Sequence, residues 1–365
     1  MPRGALSTYT LLVLLSNITS VALSVSSADK PVSESYLADL NLEEVITDVM
    51  GHVKNLSSLG SRVTGYPGFY RAAEYIKNRF REYGLKLEVQ QFNVTVPIDE
   101  ETYIILPTGE KVKAFTLWPN GIQTSPTSPQ GIEGPLVYVG KGELEDFDGK
   151  NIAGSIVLMD YESRDNWLNA AKLGAKAVIF IEPSPSSLLF MHSIKKILDT
   201  PLYFPRVYVD KDVGLILKKL AKEETSVRLI SRMYFRQVRA ENIIGIINGS
   251  KNPNNVLVIM AHYDAGSIAP GHCYGVCESF SVAILLELAR FFKEHGTLNT
   301  VWLVALAGHW QALTGAREFV NEYFFKNPDY TWIVVDLDVD PNGDRLSLVI
   351  GSDYLATPVS GLASG

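Results

Sequence analysis

From about residue 240 onward the sequence repeats one pattern: a solid apolar run, a loop, a helix-periodic stretch, and another solid apolar run. ENIIGIINGSKNPNNVLVIMAHYD is followed by SVAILLELARFFKEHG, NTVWLVALAG, ALTGAREFVNEYFF and YTWIVVDLDVD. Strands that are apolar on every residue must be covered on both faces, and the helices between them supply the crossovers that parallel pairing requires. This part of the chain is therefore restricted to an α/β fold, a mostly parallel sheet flanked by helices.

The same texture begins near the N-terminus and is then interrupted. LNLEEVITDVMGHVKNLSSLG has helical spacing, and SRVTGYPGFYRAAEYIKNRFREYGLKLEVQQFNV reads as a turn, a long amphipathic helix and a strand. Ala72, Ala73, Ile76, Phe80 and Tyr83 share one side of that helix, and Gly84 ends it. Between Pro97 and about Arg239, Pro and Gly become frequent, and the short runs GPLVYVG, SIVLMDY, AVIFIE and PRVYVD are separated by turn residues, with one helix, NWLNAAKLGA, among them. A β-rich domain over 98–239, inserted between 38–97 and 240–365, accounts for this change. With 365 residues, 46% of them hydrophobic, the chain can bury more than one core.

Charge and leader narrow the function classes. A net charge of -7 without long basic runs leaves no electrostatic footprint for nucleic acid. Residues 1–28 combine Arg3, an apolar stretch from Thr10 to Leu23 and small residues up to Ala28, the pattern of a signal peptide. A membrane anchor is disfavoured, because Ser16, Asn17, Thr19 and Ser20 break the apolar run and it falls short of a ~20-residue span. Acceptor sequons at Asn55, Asn93 and Asn248 fit a secreted glycoprotein.

In open sheets of this kind, chemistry gathers at the carboxyl ends of the strands. Three strands end in candidate positions: His262 and Asp264 after VLVIMA, Gly308 to Gln311 after TVWLVALA, and Asp336 with Asp338 after WIVV. Just beyond the first of these lies PGHCYGVCESF, which holds both cysteines of the chain, Cys273 and Cys277.

Taken together, these segments resemble the secreted dinuclear-zinc aminopeptidases related to aminopeptidase Y and glutamate carboxypeptidase, many of which carry an inserted protease-associated (PA) domain. The resemblance runs from about Leu40 to Gly351. GSRVTGYPGFYRAAEYIKNRFREYGL is similar to the family's opening segment, GIEGPLVYVGKGELEDFDGKNIAGSIVLMDY with AAKLGAKAVIFIE to its PA domain, and NIIGIINGS with VLVIMAHYDAG to the approach to its first metal ligand. It implies His262 as a zinc ligand, Asp264 as the residue that orients it, and Asp338 as the third-strand carboxylate with Asp336 beside it.

Elsewhere the sequence departs from the family. Where the bridging aspartate belongs, counting back from the helix reaches Cys277 with Glu278 beside it, and counting forward from Pro270 reaches Cys273. The family's Glu-Glu pair falls on His309 and Trp310, and tryptophan cannot bind zinc. The last histidine ligand has no counterpart before Gly365, which implies a C-terminally incomplete domain. One zinc site keeps His262 and Asp338 and could recruit Cys277; the other keeps nothing, so the expectation is one zinc ion at most.

The individual residues leave alternatives open. Cys273 and Cys277 can form a disulfide, stay inert thiols or ligate metal, and an oxidising compartment favours the disulfide. His309 can stand at the general-base position, although a hydrogen-bonded structural histidine is the commoner case. Trp310 reads as filling space left by a vacated metal, and His272 as a loop histidine rather than an extra ligand. DLDVDPNGD lacks the spacing and terminal glutamate of an EF-hand. The expected function is an extracytoplasmic protein that binds peptide or protein in the cleft or at the PA domain, with a single-zinc hydrolase as the alternative.

Overall fold

A computed structural model describes residues 41–183, 196–273 and 275–339. The leader, Asp340, Asp344 and the end of the chain lie outside the described residues. Among the described residues no helix is long and apolar enough to cross a membrane.

Helix α1 (Leu42–Ser57) starts where Asn41 caps the Glu44 amide, and α2 (Pro67–Glu82) starts on a proline in its first turn. The chain then enters β1 (Lys86–Ile105), which pairs antiparallel with β8 (Ser226–Ile247) from Lys86 opposite Ile246 to Ile105 opposite Arg228. These two long strands are the way into and out of the inserted lobe. One end of the pair belongs to each lobe's sheet.

At the C-terminal end of β8 the order is β11 (Thr331–Asp336), β9 (Asn252–His262), β10 (Asn299–Leu306), β8. β9, β10 and β11 run parallel, while β8 opposes β10. Alternate residues of β9 explain the solid apolar run. Leu257, Ile259 and Ala261 face a core with α1, α2 and α5 (Glu278–His295), while Val256, Val258 and Met260 face Trp302 and Phe319 on the opposite side. Both faces are covered, as a parallel sheet requires. Truncating a fully buried ring such as Phe80 would cost about 3–5 kcal/mol.

At the other end, β4 (Ile132–Tyr138) pairs with the start of β8, followed by β5 (Ile156–Asp160), β6 (Ala177–Ile181) and β7 (Arg206–Val209), with β3 (Phe115–Thr116) at the edge and β2 (Lys111–Lys113) beside β1. β4 to β7 are mutually parallel. The inserted lobe thus contains a parallel sheet with helices α3 (Trp167–Lys172) and α4 (Lys211–Ala221) in addition to its β-rich texture. Ile268 and Ala269, from the loop that follows β9, are buried in this lobe's core, and the Ile268 carbonyl accepts the Trp118 amide at 2.6 Å. The loop is therefore anchored across the junction.

Candidate functional site at the strand ends

His262 is the last residue of β9 and is buried. Its Nδ1 lies 3.0 Å from the Asp264 carbonyl oxygen, which can only accept, so Nδ1 carries the proton and the Nε2 lone pair points elsewhere. Asp264 is fully buried, and its Oδ2 accepts from the Thr64 hydroxyl at 2.9 Å and from the His309 amide at 3.1 Å. Its Oδ1 has no hydrogen bond and sits 3.7 Å from His262 Nδ1. Burial alone would push the His262 imidazolium down. The nearby Asp264 carboxylate and the hydrogen bond to the Asp264 carbonyl, with the Asp338 charge behind them, hold its pKa above the ordinary value instead.

His309 follows β10 and α6 (Thr314–Phe319) follows it. The connecting turn has positive φ at Gly308, Ala312 and Leu313, the last two being side-chain-bearing residues in the left-handed region. That turn lays the His309 ring on His262, with centroids 4.0 Å apart and planes inclined by 23°. Burial, and then the neighbouring His262 charge, push the His309 pKa down. Trp310 stands edge-on to both imidazoles and remains half exposed. Its indole lies so close to Gly266 that an added Cβ there would sit 2.6 Å from the ring. The space beside His262 is therefore occupied by two aromatic rings.

Asp338 follows β11 and is exposed, in a segment fixed by Leu337 donating to the Met260 carbonyl and Val339 donating to Ser281. Cys277 is the N-cap residue of α5. His262, Asp338 and Cys277 are not gathered as donors within 4.8 Å of one another. As arranged, this donor set does not fit a zinc centre.

Cys273 and Cys277 are not joined to each other in this structure. Cys273 is turned away into the protein, donating to the Gly266 carbonyl at 3.4 Å. Burial pushes its thiol up to about 12. The loop between the two cysteines is held from below by Arg62, a fully buried side chain that donates to the carbonyls of Tyr263, Leu56 and Gly275.

Three residues that organise the site escaped the sequence reading. Thr64 and Arg62 sit in the quoted segment GSRVTG, whose only signal was its turn composition. Asn242 is buried and ties Ala307, Gly315 and Gln90 together, fixing the start of the His309 turn.

Residues 242–358 match Peptidase family M28 and residues 132–217 match the PA domain. The probable lipoprotein aminopeptidase LpqL of Mycobacterium tuberculosis is 25% identical over 335 residues, covering 87% of this chain and 60% of that protein. A probable zinc metalloprotease of Leptosphaeria maculans is 34% identical over 87 residues, 22% of this chain and 20% of that protein. Among solved structures, the zinc aminopeptidase BSAP from Bacillus subtilis matches with a TM-score of 0.52 and 22% identity, over 76% of this chain and 64% of that one, a likeness of fold. The chain thus spans about three fifths of the length of LpqL.

Proposed function

We propose that the chain is a member of Peptidase family M28 with an inserted PA domain, on the strength of the matches over 242–358 and 132–217, and that it is an extracytoplasmic peptide-binding member that has lost the dinuclear peptidase centre. The observation that carries this reading is the ring stack at the strand ends. His309 lies on His262 with Trp310 edge-on, where the family would place metal-binding and proton-transferring carboxylates. An exposed indole beside neutral imidazole offers apolar contact to a side chain, and the exposed Asp336 and Asp338 offer opposite charge to an ammonium group.

The purified full chain should bind short peptides, lose that binding on Trp310→Ala, and leave aminoacyl anilides uncleaved in zinc-supplemented buffer. Zinc-dependent turnover abolished by His262→Ala would overturn the reading. One observation supports a second reading, a single-zinc hydrolase: Asp264 holds Nδ1 of His262 and leaves Nε2 as a donor, the orientation that zinc-binding histidines adopt. That reading requires Asp338 and Cys277 to move toward His262, and the same turnover assay decides between the two.

A further inference from the structure

The junction between the lobes holds a second group of metal-type donors, separate from the strand-end site. β6 and β7 are parallel neighbours with Ile181 opposite Val209, so the residues that follow them, Glu182 and Asp210, emerge side by side at the carboxyl edge of the inserted sheet. The Glu182 amide donates to the Val209 carbonyl, and one Glu182 oxygen, Oε2, accepts the Lys211 amide at 3.0 Å. The second oxygen remains for a ligand.

The third donor arrives from the other lobe. The loop after β9, already anchored by Ile268, turns at Ser267, whose hydroxyl donates to the carbonyls of Ala269 and His272. The His272 ring packs against Phe115 at 4.6 Å and Tyr208 at 5.6 Å, both from strands of the inserted lobe. This packing fixes the direction of its nitrogens. Donor atoms of Glu182, Asp210 and His272 all lie within 4.8 Å of one another. His272 Nε2 and Asp210 Oδ1 are 3.7 Å apart, too far for a hydrogen bond but close to the spacing of two donors that share one ion at about 2.1 Å each. Asp210 Oδ1 is shielded from water and accepts no hydrogen bond.

We propose that Glu182, Asp210 and His272 form a divalent-cation site that clamps the loop following β9 onto the carboxyl edge of the inserted sheet. One imidazole and two carboxylates suit zinc, cobalt or manganese better than calcium, which takes six or more oxygens, or copper(I), which prefers sulfur. The Lys113 ammonium also acts on His272 electrostatically. Because the clamped loop joins His262 to Cys273, occupancy would fix the strand-end cleft without contributing a donor to it.

The test is made on the full chain stripped with a chelator and titrated with zinc chloride or cobalt chloride alone, following melting temperature and the cobalt absorption bands. Wild type and His262→Gln should each take up one equivalent with a rise in melting temperature. Asp210→Asn and His272→Gln should weaken binding by more than about 100-fold, because changing a donor costs more than the 10–100-fold typical of a residue behind one. Both substitutions are close in shape to the native residues, and equal melting of variants and wild type in chelator establishes that folding is intact. The proposal is overturned if wild type binds neither ion, if binding survives Asp210→Asn and His272→Gln together, or if it is lost in His262→Gln instead.

Discussion

His262 and His272 lie at either end of one short loop, and they sit in opposite situations. Around His262 a single carboxylate is held by protein donors: Thr64 and His309 donate to Asp264 Oδ2, and the Asp264 carbonyl accepts a hydrogen bond from the imidazole N–H. Around His272 two carboxylates from the inserted lobe converge on a ring held by aromatic neighbours. The difference teaches that a histidine at a strand end is no guide to metal by itself. What matters is how many further donors converge on it, one carboxylate beside His262 and two beside His272.

The largest effect should come from removing the carboxylate that closes the first cluster. Asp264→Ala leaves the Thr64 hydroxyl and the His309 amide without their acceptor, and should lower unfolding free energy by about 3 kcal/mol in urea titrations. A loss below 1 kcal/mol would show that the strand-end cluster is no better satisfied than the junction. Without metal, by contrast, Glu182→Gln should shift stability by less than about 1 kcal/mol, the range of partly exposed charge pairs.

Protonation sharpens the comparison next. His262 has a raised pKa, so its contribution to stability is present below the ordinary imidazole value of about 6.5 and fades as pH rises through the raised folded value. His309 has a lowered pKa and acts in the opposite sense, with stability lost as pH falls from about 6.5 through the lowered value. Proton titrations of the two rings should therefore separate, His262 protonating first. Asp264→Asn should move His262 downward, and a His262 that titrates unchanged in that variant would exclude Asp264 as the cause.

Thiol reactivity gives a smaller but direct measure. Cys273, buried and pushed up to about 12, should react with iodoacetamide far more slowly than Cys277, as peptide mass mapping would reveal. Equal rates would mean that the loop opens between its two histidines. Least affected should be the stability of Trp310→Ala, within about 0.5 kcal/mol of wild type because the ring is half exposed, even as peptide binding is lost.

Much of the fold was legible because burial leaves a compositional trace. VLVIMA and TVWLVALA are apolar on every residue because cores lie on both sides of the sheet. α4 was missed, although Val213, Leu217 and Leu220 share one face of it, because its short amphipathic pattern was submerged in turn-rich sequence. In the site, His262, Asp264 and His309 meet as strand-end positions should. Arg62 and Asn242 left little trace, since most of their bonds go to backbone groups and a carbonyl has no letter in the sequence. The grouping of His272 with Glu182 and Asp210 was not legible for a related reason: those two residues come from a different lobe, distant in sequence.

The β1 and β8 ladder has a mechanical consequence. Many two-lobed proteins close on a ligand by bending at a few residues between lobes, but here two strands cross the boundary hydrogen-bonded to each other along their length. The one irregularity, between Asp99 and Glu101, is pinned where Asp99 accepts from Thr102 and Thr116 and its amide donates to Tyr66. Jaw-like closure would tear that ladder, so the two lobes are held like the two ends of one stiff ribbon.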